Sequence, residues 1–172
     1  MNSTVKLHLL SFGNARTYLT ASLFIVGNIA LPKLFHLIPL GGLSFLPIYF
    51  FTLVAAYKYG WKVGLLTAVF SPLVNHILFG MPVAAMLPVI LTKSLLLAGA
   101  AGFASLYFKR VSIVILTLVV ISYQALGMFG EWAITGNFYN AWQSVQIGLP
   151  GMLLQIIGGY FIIKSNTLSR YF

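Results

Sequence analysis

The chain has 172 residues, of which 60% are hydrophobic and 6% charged. A soluble domain carries about 25% charged residues, so ten Lys or Arg and a single acid cannot cover a chain of this size with a water-facing surface. The composition excludes an ordinary soluble fold and points to an all-α integral membrane protein, with lipid over most of its outside.

The net charge of +9 leaves Glu131 as the one acidic side chain. The basic residues cluster at the ends of apolar runs. That pattern suits membrane orientation and argues against nucleic acid as a partner. The absence of cysteine excludes disulfides, thiolate metal sites and thiol catalysis. Six spans of about 20 residues need roughly 120 residues, which fits one domain over 1–172.

In chain order, the first span is predicted at about 15–31, ending before Pro32. Its length and the lack of a small-residue cleavage site after it make it a span rather than a signal peptide. The second is predicted at about 43–57, through the aromatic run Tyr49, Phe50 and Phe51, with Pro47 distorting its outer end. The third covers about 62–79 and is expected to break at Ser71-Pro72. The fourth covers about 83–107, the fifth about 111–129 and the sixth about 145–164. The loop Gly130 to Ser144 is expected to join the last two outside.

An inside position for both termini puts Lys6, Arg16, Lys58, Lys62, Lys109, Arg110, Lys164 and Arg170 on the cytoplasmic side. Lys33 alone falls outside, and Lys93 falls inside a span. Such asymmetry is the positive-inside signature. Aromatic residues flank both interfaces, among them Trp61 and Tyr107 inside and Trp132, Tyr139 and Trp142 outside. No internal repeat is visible, which argues against an inverted-repeat transporter.

With that topology the polar residues gather in the outer half of spans three to six. Asn75 and His76 lie in the outer third of the third span, and Lys93 lies roughly 15 Å below the outer end of the fourth. Gln124, Glu131 and Trp132 follow on the fifth, Tyr139 and Trp142 in the outer loop, and Gln155 on the sixth. Ionisable groups within spans usually face a cavity or a partner. The set predicts an outward-facing cavity on helices three to six. Each member also has a structural alternative. Lys93 either meets a ligand or pairs with Glu131, and His76 either binds or donates to a carbonyl. Asn75 either binds or caps a distortion at Pro72. Gln124 and Gln155 either bind or join helices, and the Trp residues either stack on a ligand or anchor the interface.

Small residues recur every four positions at Gly13, Thr17 and Ala21, and again at Ser94, Ala98 and Gly102. Such stripes bring helix backbones close in lipid. The second reads as internal packing, and the first reads either as packing or as a face that docks another membrane subunit.

Catalytic motifs are missing. There is no Walker A, GxSxG or HExxH sequence. One acid cannot form a carboxylate pair, and three separated histidines at 8, 36 and 76 do not form a metal site. The chain reads as a non-enzyme with no cofactor, although His76 with Lys93 stays open as an acid–base pair.

The third and fourth spans carry a resemblance. Tyr59-Gly60, Gly64-Leu65-Leu66-Thr67-Ala68, Ser71-Pro72-Leu73, Leu78-Phe79-Gly80-Met81-Pro82 and the small-rich run from Lys93 to Gly102 resemble the substrate-binding S components of energy-coupling factor (ECF) vitamin transporters. The other spans match in length and order. The resemblance implies six helices with cytoplasmic termini in a bacterial or archaeal plasma membrane. It implies a vitamin or related micronutrient bound from outside by the later helices and the loops after helices one, three and five. It also implies docking through small residues of helix one to a membrane T component that couples to two ATPases. The family often shows an Ala-xxx-Ala pattern there, where this chain has Gly13, Thr17 and Ala21. Lys93 and His76 against one acid favour an anionic substrate, while Trp132, Tyr139 and Trp142 equally suit a flat heterocycle. The alternative reading is a stand-alone carrier or channel without ATPase partners.

Overall fold

A computed structural model describes residues 10–35 and 45–165. His8, His36, Lys6, Arg170 and the start of the predicted second span lie outside those residues. The described residues form helices and turns with no strand. This follows from the composition, because a helix satisfies its backbone hydrogen bonds within one segment. In chain order the helices are α1 (Ala15–Phe35), α2 (Pro47–Tyr59), α3 (Trp61–Phe79), α4 (Leu87–Phe108, after a 3-10 turn at Ala84–Met86), α5 (Ile113–Thr135), α6 (Phe138–Ile147) and α7 (Leu149–Lys164).

Trp61–Phe79, Ala84–Phe108 and Ile113–Thr135 are each long and apolar enough to cross a membrane, and α6 with α7, bent by 47°, forms a fourth such unit if the pair acts as one broken span. Large apolar side chains such as Leu19, Leu118, Ile77 and Phe161 face outward. Patches of that kind require an apolar neighbour, and the arrangement is compatible with a multi-pass membrane protein.

Helix α2 is the axis of the bundle, packed by α1, α3, α4 and α7. Leu53, Val54, Ala55 and Ala56 are fully buried there. Its 13 residues give about 20 Å of length. Pro47 occupies its first turn, where a missing N–H leaves no partner unsatisfied, so the proline starts the helix rather than distorting it. Gly60 alone separates α2 from α3, at φ 97°, a backbone angle that side chains disfavour. The tight hairpin presses the two helices together at Gly64. A Cβ there would lie 2.4 Å from the Ala56 Cβ.

The predicted break at Ser71-Pro72 does not occur, because α3 runs continuously through Pro72. Ser71 instead joins a buried polar hub. Asn28 of α1 donates through Nδ2 to Thr52 Oγ1 at 3.0 Å and to Ser71 Oγ at 3.1 Å. Its Oδ1 accepts from the Phe51 backbone N–H at 3.1 Å. One amide therefore ties α1, α2 and α3 with both donor and acceptor used. At the opposite end of α2, Ser105 donates to the Tyr57 carbonyl at 2.6 Å, Tyr57 donates to the Arg110 carbonyl at 2.6 Å, and Lys58 donates to the Ser165 carbonyl at 2.5 Å.

The segment expected as an outer loop is largely helical. Helix α5 continues to Thr135, Gly136 caps it at φ 69°, and α6 begins at Phe138 with Asn137 Oδ1 accepting from the Asn140 N–H at 3.1 Å. The sequence reading ended the fifth span where polar residues began, but a helix end needs polarity only where it leaves the apolar layer.

Candidate functional site

Helices α4 and α5 form an antiparallel hairpin through the short turn after Phe108. This brings the second turn of α4 beside the last turns of α5. The absence of a side chain at Gly127 opens a groove for the stem of Lys93, because a Cβ would stand 2.7 Å from Lys93 Cγ. The Lys93 ammonium then reaches Glu131 Oε2 at 2.5 Å, with the two side chains 8% and 3% exposed. Ser144 of α6 donates to the other carboxylate oxygen at 2.7 Å. The carboxylate is thus gripped from two sides, and the charges cancel inside the bundle. Separating them there would strand an ion in a medium that solvates it poorly.

A second group lies deeper along α5. The Tyr123 hydroxyl donates to Gln155 Oε1 of α7 at 2.9 Å, and the Tyr123 ring lies 6.0 Å from that of Tyr49 on α2. On α7, α5 and α4 respectively, Gln155 Nε2, Gln124 Oε1 and Ser94 Oγ are buried without hydrogen-bond partners. Buried polar atoms are paired in the great majority of cases, and each orphan costs about 1–3 kcal/mol. The three are unspent donors and acceptors inside the bundle, where other buried polar side chains such as Asn28 and Ser105 are paired.

Asn75 and His76 lie elsewhere, Asn75 on the side of α3 that meets α1 and His76 against the turn that follows α3. His76 Nδ1 is 2.7 Å from the Pro82 carbonyl. The carbonyl can only accept, so Nδ1 carries the proton. Asn75 lines a cavity of about 360 Å³ together with Pro32, Lys33, Phe79 and Met81. The Lys33 ammonium stands 3.4 Å above the centroid of the Phe79 ring.

The structure therefore brings Lys93 and Glu131 together, with Gln124 and Gln155 in the same α4–α7 quarter of the bundle. It separates Asn75 and His76 from them. Trp132, Tyr139 and Trp142 are 44%, 70% and 47% exposed and do not point into the buried group, and Trp132 packs edge-on against Phe138 at 5.7 Å. In the first small-residue stripe, Thr17 and Ala21 are buried in the bundle, and Thr17 Oγ1 donates to the Ser11 carbonyl at 2.5 Å. Gly13 is exposed and has open space around it. In the second stripe, Ser94, Ala98 and Gly102 are all buried, and Gly102 faces the Trp61 backbone.

Sequence reasoning missed Ser144 as the partner of Glu131, Lys33 as a cavity residue, and Asn28 as a hub. Asn28 carried a readable signal as the lone carboxamide side chain in the first span. Among the described residues no group of three His, Cys, Asp or Glu could hold a metal ion.

These features describe a helical bundle with several apolar, membrane-length helices, a neutralised ion pair inside it and unspent hydrogen-bonding atoms nearby. Comparison with protein-family models, with curated proteins and with solved structures gave no match.

Proposed function

We propose that the chain is a six-span membrane protein with cytoplasmic termini that binds a small molecule from the outer side of a bacterial or archaeal plasma membrane. On this reading it is the substrate-binding subunit of an ECF-type importer, and its ligand is a vitamin or related micronutrient. It performs no chemistry of its own. A membrane T component and two ATPases supply the driving force, and the surrounding bilayer covers its apolar sides.

The observation that carries the reading is the set of unpartnered buried atoms at Ser94, Gln124 and Gln155 next to the Lys93–Glu131 pair. A bundle selected for stability alone would replace such groups with apolar ones. Their retention is explained if a ligand completes them. Ser94, Lys93, Glu131 and Gln155 lie in the halves of α4, α5 and α7 that point to one end of the bundle, with Gln124 at the midpoint of α5. This supports a one-sided binding chamber rather than a through-going path.

A second reading, the stand-alone carrier, draws on the burial of Thr17 and Ala21, which takes most of the small-residue stripe away from a docking subunit. Uptake in cells depleted of ATP separates the two. Accumulation that stops on depletion supports the ATPase-coupled importer, and accumulation that continues on the ion gradients alone supports the carrier.

A further inference from the structure

We infer that the cleft between the ends of α1 and α3 is a carboxylate-binding subsite for a small, flat heteroaromatic acid, with Lys33 as its counter-ion and Asn75 as its hydrogen-bonding floor. The inference rests on the small-molecule-binding reading above and adds a place for a ligand apart from the α4–α7 group.

The charge inventory of the chain comes first. Glu131 is the only acidic side chain, and Lys93 already holds it at 2.5 Å. No side-chain carboxylate remains for Lys33. Its ammonium is set over the Phe79 ring at 3.4 Å, a contact that uses the ring's negative face and leaves N–H donors for an anion. The other two cationic or polar candidates for anion recognition are occupied: Lys93 by Glu131, and His76 Nδ1 by the Pro82 carbonyl at 2.7 Å. The anion preference therefore moves to Lys33.

Asn75 supplies an independent observation. Its side chain is 6% exposed, lines the cleft and has no hydrogen-bond partner among the described residues. A carboxamide brings two donors and an acceptor, and those of Asn75 are not among the fully enclosed unpaired atoms, so they are reachable from the cleft. They can meet a ring nitrogen or a carboxylate oxygen without any movement of α3. Among the described residues the remaining walls are Pro32, Phe79 and Met81, and a thioether makes favourable contacts with an aromatic ring. The bond from His76 to the Pro82 carbonyl holds the turn that carries Met81. The volume of about 360 Å³ lies at the low end of the range for small-molecule sites, which suits one or two fused rings.

The test uses the full chain in phosphatidylcholine nanodiscs, with quinoline-2-carboxylate and its neutral carboxamide as probes, read by calorimetry. The carboxylate is expected to bind at least about tenfold more tightly than the amide. Lys33→Gln abolishes that preference, Lys33→Arg restores most of it, and Lys109→Gln at the far end leaves it intact. Asn75→Leu weakens both probes about fivefold. Equal affinities for the two probes, a preference that survives Lys33→Gln, or no binding of either probe overturns the inference. Loss of probe binding in phosphatidylglycerol nanodiscs, with Lys33-dependent binding of that lipid, also overturns it and assigns the cleft to a lipid phosphate. If a small molecule co-purifies equally with wild type and Lys33→Gln, the subsite falls while the binding reading stands. If wild type carries and binds no small molecule, both fall.

Discussion

Replacing Glu131 with Gln leaves the Lys93 ammonium buried beside a neutral group, and the geometry sets the size of the effect. At 2.5 Å and an effective dielectric of about 20, the attraction between the charges is about 7 kcal/mol. Desolvating the two ions opposes this with several kcal/mol each, so the intact pair contributes close to nothing net. Removing one partner keeps the other's desolvation and discards the attraction, a loss of about 3–5 kcal/mol. For a chain of this length that lowers the unfolding midpoint by about 10 °C. Lys93→Met strands the carboxylate in the same way, although Ser144 still donates to it, so its loss is the smaller of the two. The double variant Lys93→Met/Glu131→Gln removes both charges and is expected to melt near wild type. Thermal unfolding followed by tryptophan fluorescence in detergent measures all three. A Glu131→Gln midpoint within about 2 °C of wild type, or a double variant less stable than either single, refutes the reasoning.

Gln124→Leu removes an unpartnered polar atom, so it is expected to leave stability unchanged or raise it by about 1 kcal/mol, while ligand affinity falls about tenfold. Gln155→Leu also removes the acceptor of the buried Tyr123 hydroxyl, so it is expected to lose about 1–3 kcal/mol with the same fall in affinity. Paired melting and binding curves of Gln124→Leu show whether the two quantities part company. Gly64→Ala sets a Cβ 2.4 Å from the Ala56 Cβ and is expected to lose about 3 kcal/mol. Gly99→Ala has nothing within 4 Å of the new carbon and is expected to gain about 0.5–1 kcal/mol from helix propensity. The melting temperatures of this matched pair check the packing of α2 on α3. Asn28→Leu breaks three hydrogen bonds at once and is expected to destabilise by about 2–4 kcal/mol. Limited proteolysis should then first cleave near the α1 end of the chain.

The helices were legible because lipid-facing and core-facing positions are both apolar, so long runs with punctuating Gly, Pro and Lys mark them directly. Pro72 misled because a proline costs a helix one hydrogen bond without ending it when neighbours hold both halves in place, as Asn28 does through Ser71. The stretch from Gly130 to Ser144 misled because its polarity matched a loop, whereas Gly136 and Asn137 cap two helices. Within the candidate site, the structural alternative of a Lys93–Glu131 pair is the geometry observed. Which way each side chain turns was not legible. Trp132 follows Glu131 directly, yet successive helical positions diverge by about 100°, so one is buried and the other exposed. Lys33 was read only as an outer charge, because its cleft exists only once α1 and α3 are packed together.

The central claim, that this chain is a membrane-embedded small-molecule-binding subunit, is tested most directly by native mass spectrometry of the protein released from detergent, with identification of anything it carries. The account predicts one bound small molecule per chain, which is lost from Gln155→Leu and Gln124→Leu while those variants stay folded. A chain that emerges empty, and shows no thermal stabilisation across a panel of vitamins and heteroaromatic acids, contradicts it.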